Sequence, residues 1–216
     1  MKSVDLDFYK KVDEKFYDDA CNSKNPIRRW FHRKRHEIVN EWMKQQNVKN
    51  KVVVDMACGT CNWNINKFDV IGVDISKGML GIALMEGRIK KALNEDITKT
   101  SLKNGFADIV ILGDVLEHIS NYNEAIKEAK RVLKRKGIIF CSVPYDTNFS
   151  LWKPLFNLYC LIRGYVLGSE HHKVFGGHIN HFSPKKIKEE LEKQGLRVIK
   201  QFNNMRFTIY TIATKG

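Results

Sequence analysis

The sequence predicts a doubly wound α/β fold, a mostly parallel sheet with helices on both faces. Three observations predict it. Between residues 51 and 143, short β-branched runs alternate with helical patterns, the order that βαβ units impose. The runs are continuously apolar rather than alternating, as strands buried on both faces must be. The first two end in an acid: Val52-Val53-Val54-Asp55, followed by Met56-Ala57-Cys58-Gly59, and Val70-Ile71-Gly72-Val73-Asp74. Small residues after such a strand let the backbone turn tightly at the edge where open α/β sheets bind ligands.

The elements follow in order. Residues 5–46 read as two helices, the second opening at Asn25-Pro26, a cap and a first-turn proline. Its inward stripe of Ile27, Trp30, Phe31, Ile38, Trp42 and Met43 also passes through Lys34 and Arg35. A cation on an apolar stripe needs a partner. Strands are expected near 51–55, 69–74, 89–93, 107–112 and 137–143. Only Asn62 to Phe68 separate the first loop from the second strand, so the helix there must be short. Tyr122, Ala125, Ile126, Ala129, Val132 and Leu133 form a helical stripe that stops at Gly137. Ser183-Pro184 opens a last helix, ended by Gly195, and runs at 196–202 and 205–214 complete seven strands.

Between these lies an apolar stretch from Phe149 to Leu167, broken by Lys153, Pro154 and Arg163. It is too short and interrupted to span a bilayer. A lid over a hydrophobic acceptor or a segment lying on a membrane surface suits it, with an extra core helix as the plain alternative.

At 216 residues the chain is one domain with decorations. Five cysteines, with no recognisable signal peptide, fit reduced thiols and a cytoplasmic protein, peripheral to the inner face of the membrane if the apolar stretch docks there. Lys and Arg number 37 against 24 acids, a net charge of +13. This balance fits either a lysine-rich proteome or a basic face toward RNA or an anionic membrane. One dense run stands out, Arg28-Arg29-Trp30-Phe31-His32-Arg33-Lys34-Arg35-His36.

The loop Asp55-Met56-Ala57-Cys58-Gly59-Thr60-Cys61, with the acid Asp74 after the second strand, resembles the class I S-adenosylmethionine-dependent methyltransferases, with Cys61 where that family usually has its last loop glycine. Cys58-Gly59-Thr60-Cys61 is also formally a C-x-x-C after a strand, as in thioredoxin-like proteins, but that reading leaves Asp74 without a role. A dinucleotide fold would want G-x-G-x-x-G, and this loop has a single glycine. Further along, Ala107–Asp114 resembles the family's fourth motif. Arg131–Gly137 resembles its R-x-L-[KR]-P-G-G exit, with Lys136 where proline is common.

The resemblance implies a Rossmann-like, seven-stranded sheet and S-adenosylmethionine as cofactor. It divides the single domain into an N-terminal helical cap (1–46), a cofactor-binding core (47–144), a substrate lid insert (145–181) and a C-terminal helix with strand hairpin (182–216). Asp55, Ala57, Cys58 and Gly59 would cradle the methionine end. Asp74, with Ile75 beside it, would hold the ribose hydroxyls, Asp96 the adenine amino group, Ile97 the ring face and the Gly113 carbonyl the ammonium. Arg35 is the candidate for the cofactor carboxylate, because a guanidinium grips it bidentately.

The layout of apolar insert, Gly-His turn (Gly176-Gly177-His178-Ile179-Asn180-His181) and helix resembles the polyprenyl-quinone O-methyltransferases. In that group an acidic pair and a histidine, here Asp114, Glu117 and His118, are linked to a divalent metal; their spacing can converge on one helix face. Many methyltransferases carry a similar pair without metal, and none is assigned here. A hydroxyl acceptor needs a general base, for which His178 and His181 are the candidates, with His118 behind them. The expected reaction is methyl transfer to a small or lipid-like acceptor, specifically O-methylation of a polyprenyl phenol. An RNA methyltransferase using the 28–36 run and a non-catalytic cofactor-binding protein are the alternatives; the residues leave the oligomeric state open.

Overall fold

The computed structural model describes residues 14–147, 150, 152–166, 168 and 178–216. Expectations that fall on residues 5–13, Phe149, Leu151, Leu167 and Gly176-Gly177 therefore lie outside the described residues, as do those on the side chains of Ile27, Lys153 and Arg163.

The chain opens with helices α1 (Phe16–Cys21) and α2 (Pro26–Gln45). Asn25 caps α2 as expected, its Oδ1 accepting the Arg28 amide at 3.2 Å. The core follows as β1 (Val53–Met56), β2 (Val70–Asp74), α3 (Lys77–Met85), β3 (Lys91–Asn94), β4 (Ala107–Gly113), α4 (Tyr122–Val132) and β5 (Leu133–Pro144). Helix α5 (Trp152–Leu161) continues into a π-helical turn, Ile162–Val166. Last come α6 (Pro184–Lys193), β6 (Leu196–Asn204) and β7 (Thr208–Lys215).

The seven strands form one sheet in the order β3-β2-β1-β4-β5-β7-β6. The pairs from β3 to β5 are parallel, and β7 runs antiparallel to both neighbours. The order reverses beside β1, between β1 and β4, which is the switch point where such sheets receive ligands. Alternation along the strands sorts the core into two layers. Val54, Met56, Val110 and Leu112 pack with α4 and α6 residues such as Ile126 and Leu191. Val53, Val70, Ile109 and Ile111 pack with Trp42 and Met43 of α2 and with Leu80 of α3. Thus α2 covers the α3 side of the sheet, where the Trp42 ring lies 4.7 Å from Phe140.

Three local expectations are corrected. Residues 61–68 hold turns and no helix. Asn64 closes them, its side-chain amide donating to the carbonyls of Phe68 and Arg88 while its Oδ1 takes the Phe68 amide. The stripe ending at Gly137 stops sooner: α4 ends at Val132, because Leu133 is extended and pairs with Ala107 as the first residue of β5. Lys136 has φ +61°, which a proline ring forbids. The proline place in that pattern is therefore Arg135, and Lys136 occupies a glycine-type position.

Candidate active site

The carboxyl ends of β1, β2 and β3 are knitted together by backbone groups and three polar side chains. Ala57 and Cys58 amides both donate to the Val73 carbonyl, strapping the loop after β1 onto β2. Ala57, Gly59 and Cys61 take left-handed φ values of +64°, +51° and +50°, a conformation in which a Cβ is strained. Cys61 thus adopts the glycine-type backbone and turns its buried thiol inward to Asp55 Oδ2, at 3.5 Å. Cys58 is buried over β2, and Gly72 makes the room: a Cβ there would sit 2.6 Å from its sulfur.

Asp55 is 3% exposed, and its Oδ2 accepts the Trp63 indole N–H at 2.7 Å. Burial raises its pKa to about 6 despite those donors. Its carboxylate therefore props the loop from within. Burial and the Asp55 charge also push both loop thiols well above the usual cysteine range. Reactive C-x-x-C pairs need the opposite shift, so the thioredoxin-like reading loses its chemistry.

Asp74 is the hinge of this half. Its Oδ2 accepts the Gly59 amide and its Oδ1 the Ser76 amide, each at 2.8 Å. Asn94 donates to the Asp74 and Ile75 carbonyls, and Ser76 caps α3. Each Asp74 oxygen keeps a second lone pair, which is what a ribose diol needs. Asp96 is exposed and caps its own turn through Thr98, while Ile97 belongs to the buried core. Gly113 is half-buried at the end of β4.

The other half of the edge is built by β4, β5 and the segment before α6. Asp114 has φ +49° and is tied to Ser142 of β5: its amide donates to the Ser142 carbonyl and hydroxyl, and that hydroxyl donates to Oδ1. Arg35 reaches over from α2 to Asp114 Oδ2 at 2.8 Å, its guanidinium lying over Phe31 and touching His32 Nδ1. Lys34 instead pairs with Glu37 at the surface. Of the two cations on the stripe, Arg35 enters the site, and its partner there is a side chain of the protein.

Residues 114–118 form a turn, so the convergence expected on a helix face is made differently. Asn180 pegs the distant segment 178–181 onto that turn, its side chain donating to the Leu116 and Ile119 carbonyls. The Ile179 and Asn180 amides donate to the Glu117 carbonyl. This clamp sets the His178 ring 4.9 Å from His118. One Glu117 oxygen and one ring nitrogen from each histidine lie within 4.8 Å of one another, a donor set suited to a divalent transition metal. Asp114 stands apart from it, paired with Arg35. Glu117 is 1% exposed with Oε2 unpartnered; burial and the Asp114 charge raise its pKa well above the carboxylate range. His181 is exposed, and its Nδ1 contacts the buried Asp146 carboxylate just after β5.

The structure thus brings together Ala57, Cys58, Gly59 and Asp74 on one side and His118, His178 and Glu117 on the other, with His181 beside Asp146. Sequence reasoning missed Asn94, Ser142, Asp146 and Asn180. Asp146 carried a usable signal, an acid just past a strand end; Asn180 carried none, because its partners are over sixty residues away.

The methyltransferase domain family matches residues 27–201. Among curated proteins, the demethylmenaquinone methyltransferase of Staphylococcus saprophyticus is 29% identical over 128 residues, covering 54% of this chain and 55% of that protein. Its counterpart in Listeria monocytogenes serotype 4a is 31% identical over 137 residues, with 55% and 56% covered. The chain spans about half the length of the curated relatives it matches. Among solved structures, magnesium protoporphyrin IX methyltransferase from Synechocystis PCC 6803, with bound SAH, superposes with a TM-score of 0.72 at 15% identity over 97% of both chains. The PH0226 protein of Pyrococcus horikoshii gives 0.65 at 20% identity, with 97% and 99% covered. Sheet order, loop and family match agree: the chain belongs to the class I S-adenosylmethionine-dependent methyltransferases.

Proposed function

We propose that the protein methylates a phenolic hydroxyl of a lipid-like quinone precursor. The observation that carries the reading is the Asp146–His181 pair at the carboxyl end of β5, in the half of the edge not occupied by the glycine loop. Neutral imidazole has one N–H and one lone pair. A carboxylate at Nδ1 holds the proton there and leaves Nε2, which has no partner among the described residues, as the base. The relatives named for demethylmenaquinone support a quinone-type acceptor.

S-adenosylmethionine supplies an electrophilic methyl on a positively charged sulfur. The protein's part is to aim and to take one proton. Asp74 and the Gly59 loop would hold the nucleoside end, and Asp55 keeps that loop in shape. His181 Nε2 accepts the acceptor's hydroxyl proton as the oxygen bonds to the methyl carbon. Bound S-adenosylmethionine would supply the leaving group, its sulfur keeping the electron pair of the carbon–sulfur bond. Holding the reacting atoms in line supplies most of the acceleration.

A nucleic-acid acceptor has less support. Much of the basic run is engaged internally: Arg29 and Arg33 donate to the carbonyls of Ser23 and Cys21, and Arg35 pairs with Asp114. Burial and neighbouring cations keep His32 and His36 neutral, with pKa values lowered to about 2 and about 3.

The test is incubation with S-adenosylmethionine and a prenylated catechol, reading S-adenosylhomocysteine release and the mass of the acceptor. One added methyl is expected, with turnover lost in His181→Gln while S-adenosylhomocysteine affinity stays. An unmodified catechol alongside a methylated RNA would overturn the reading.

A further inference from the structure

Helix α5 and its π-helical extension present an apolar face to water. Leu158, Tyr159, Leu161, Ile162, Tyr165 and Val166 are all exposed, Tyr165 by 67% and Val166 by 75%. Their spacing (i, i+1, i+3, i+4, i+7, i+8) places them on one face of a helix. Cys160 and Gly164, four residues apart on the opposite face, are buried. The stripe is continuous and faces water, which a soluble surface rarely tolerates in one patch.

Its surroundings say what covers it. The segment leading into α5 is tied to the β6–β7 turn, where the Ser150 hydroxyl donates to the Arg206 carbonyl. That turn displays Met205 and Arg206, and Phe207 beside them packs against Trp30 and Phe31 of α2. Trp30 is itself 43% exposed. The region therefore combines aliphatic side chains, two tyrosines and a tryptophan with the exposed Arg206, on a chain of net charge +13. Amphipathic aromatics with apolar anchors and cations at the rim fit the headgroup boundary of an anionic bilayer. No described helix is long and apolar enough to cross a membrane, so the mode is attachment along the surface.

We propose that the outward face of residues 158–166, with Met205 and Trp30, docks the protein on anionic lipid membranes. The evidence for docking is independent of the acceptor; its purpose, to meet a substrate that resides in the bilayer, rests on the quinone reading.

The experiment is co-sedimentation of the full chain with sucrose-loaded vesicles of phosphatidylcholine, alone or mixed with phosphatidylglycerol. Binding to the mixed vesicles is expected, weakened by salt and reduced about tenfold or more in Leu161→Glu and in Val166→Glu. Met85→Glu, which adds the same charge at another exposed apolar residue on α3, beside β2 and β3 at the far edge of the sheet, should bind like the wild type. Retained S-adenosylhomocysteine binding certifies that each variant is folded. Failure of the wild type to bind either vesicle, or equal binding by Leu161→Glu, Val166→Glu and wild type, would overturn the proposal. So would dimerisation in solution that Leu161→Glu abolishes, since a second copy would then cover the stripe. Because no acceptor is present, failure here leaves the methylation reading standing, and failure of methylation leaves this one standing.

Discussion

The two halves of the sheet edge are built by different means. The β1–β3 half is local and made of backbone: Asp74 receives the Gly59 and Ser76 amides, and Val73 receives those of Ala57 and Cys58. The β4–β5 half is assembled from side chains far apart in sequence, with Asn180 reaching the turn at 116–119 and Arg35 reaching Asp114. A half that carries its own scaffold can serve one cofactor across many proteins. A half pinned by a few long-range side chains can be rebuilt for a new acceptor without disturbing the first.

The largest effect that tests this division should come from Asp74→Ala. It removes the acceptor of two backbone amides together with the expected ribose contacts. At about 1.5–3 kcal/mol per charge-assisted hydrogen bond lost, S-adenosylhomocysteine affinity should fall by about 100-fold or more. Calorimetry reads it directly.

Asp55 gives the same half a pH signature. Its proton stays on until about pH 6 in the folded protein, whereas an unfolded aspartate loses it near ~3.9. The folded state binds more protons in that window, so the Asp55 contribution to stability is full below the lower value and is lost as pH rises to about 6. Asn cannot ionise. The stability of Asp55→Asn relative to wild type should therefore climb between pH ~4 and ~6, by at most about 3 kcal/mol, in urea titrations at stepped pH. A flat difference would show that Asp55 is ionised throughout.

Asn180→Ala should act on the other half alone. Loss of two side-chain hydrogen bonds costs about 1–3 kcal/mol of stability and frees His178 from His118. Turnover should drop while S-adenosylhomocysteine affinity does not. An equal loss of both would mean that the halves are one unit.

The smallest effects separate two adjacent cations. Arg35→Met strands the partly buried Asp114 carboxylate and should cost about 1–2 kcal/mol, whereas Lys34→Met removes a surface i, i+3 pair worth less than about 0.5 kcal/mol. Thermal melts of the two variants suffice.

This division also explains what was legible in the sequence. The sheet, the Asn25 and Ser183 caps and the loop after β1 were all readable, because each follows from residues within a few positions. Arg35 was singled out by helical periodicity, which reports the direction of a side chain and not what it meets; the partner is Asp114. The spacing of Asp114, Glu117 and His118 suggested convergence on one helix face, whereas residues 114–118 form a turn. That turn opens at the left-handed backbone of Asp114, hydrogen-bonded to Ser142 on a neighbouring strand. The clamp of Asn180 and the pairing of Asp146 with His181 were not readable for the same reason, each joining segments that only the fold brings together, although both members of the pair could be singled out. The insert read as lid or membrane contact, and periodicity could not say which side of its helix faces the protein.

The most direct test of the account is calorimetric titration of S-adenosylhomocysteine into wild type, Asp74→Ala and His181→Gln. The account predicts micromolar binding to wild type and to His181→Gln, and binding weakened by about 100-fold in Asp74→Ala. Affinity that survives Asp74→Ala but falls with His181→Gln would contradict it, placing the cofactor in the half assigned here to the acceptor.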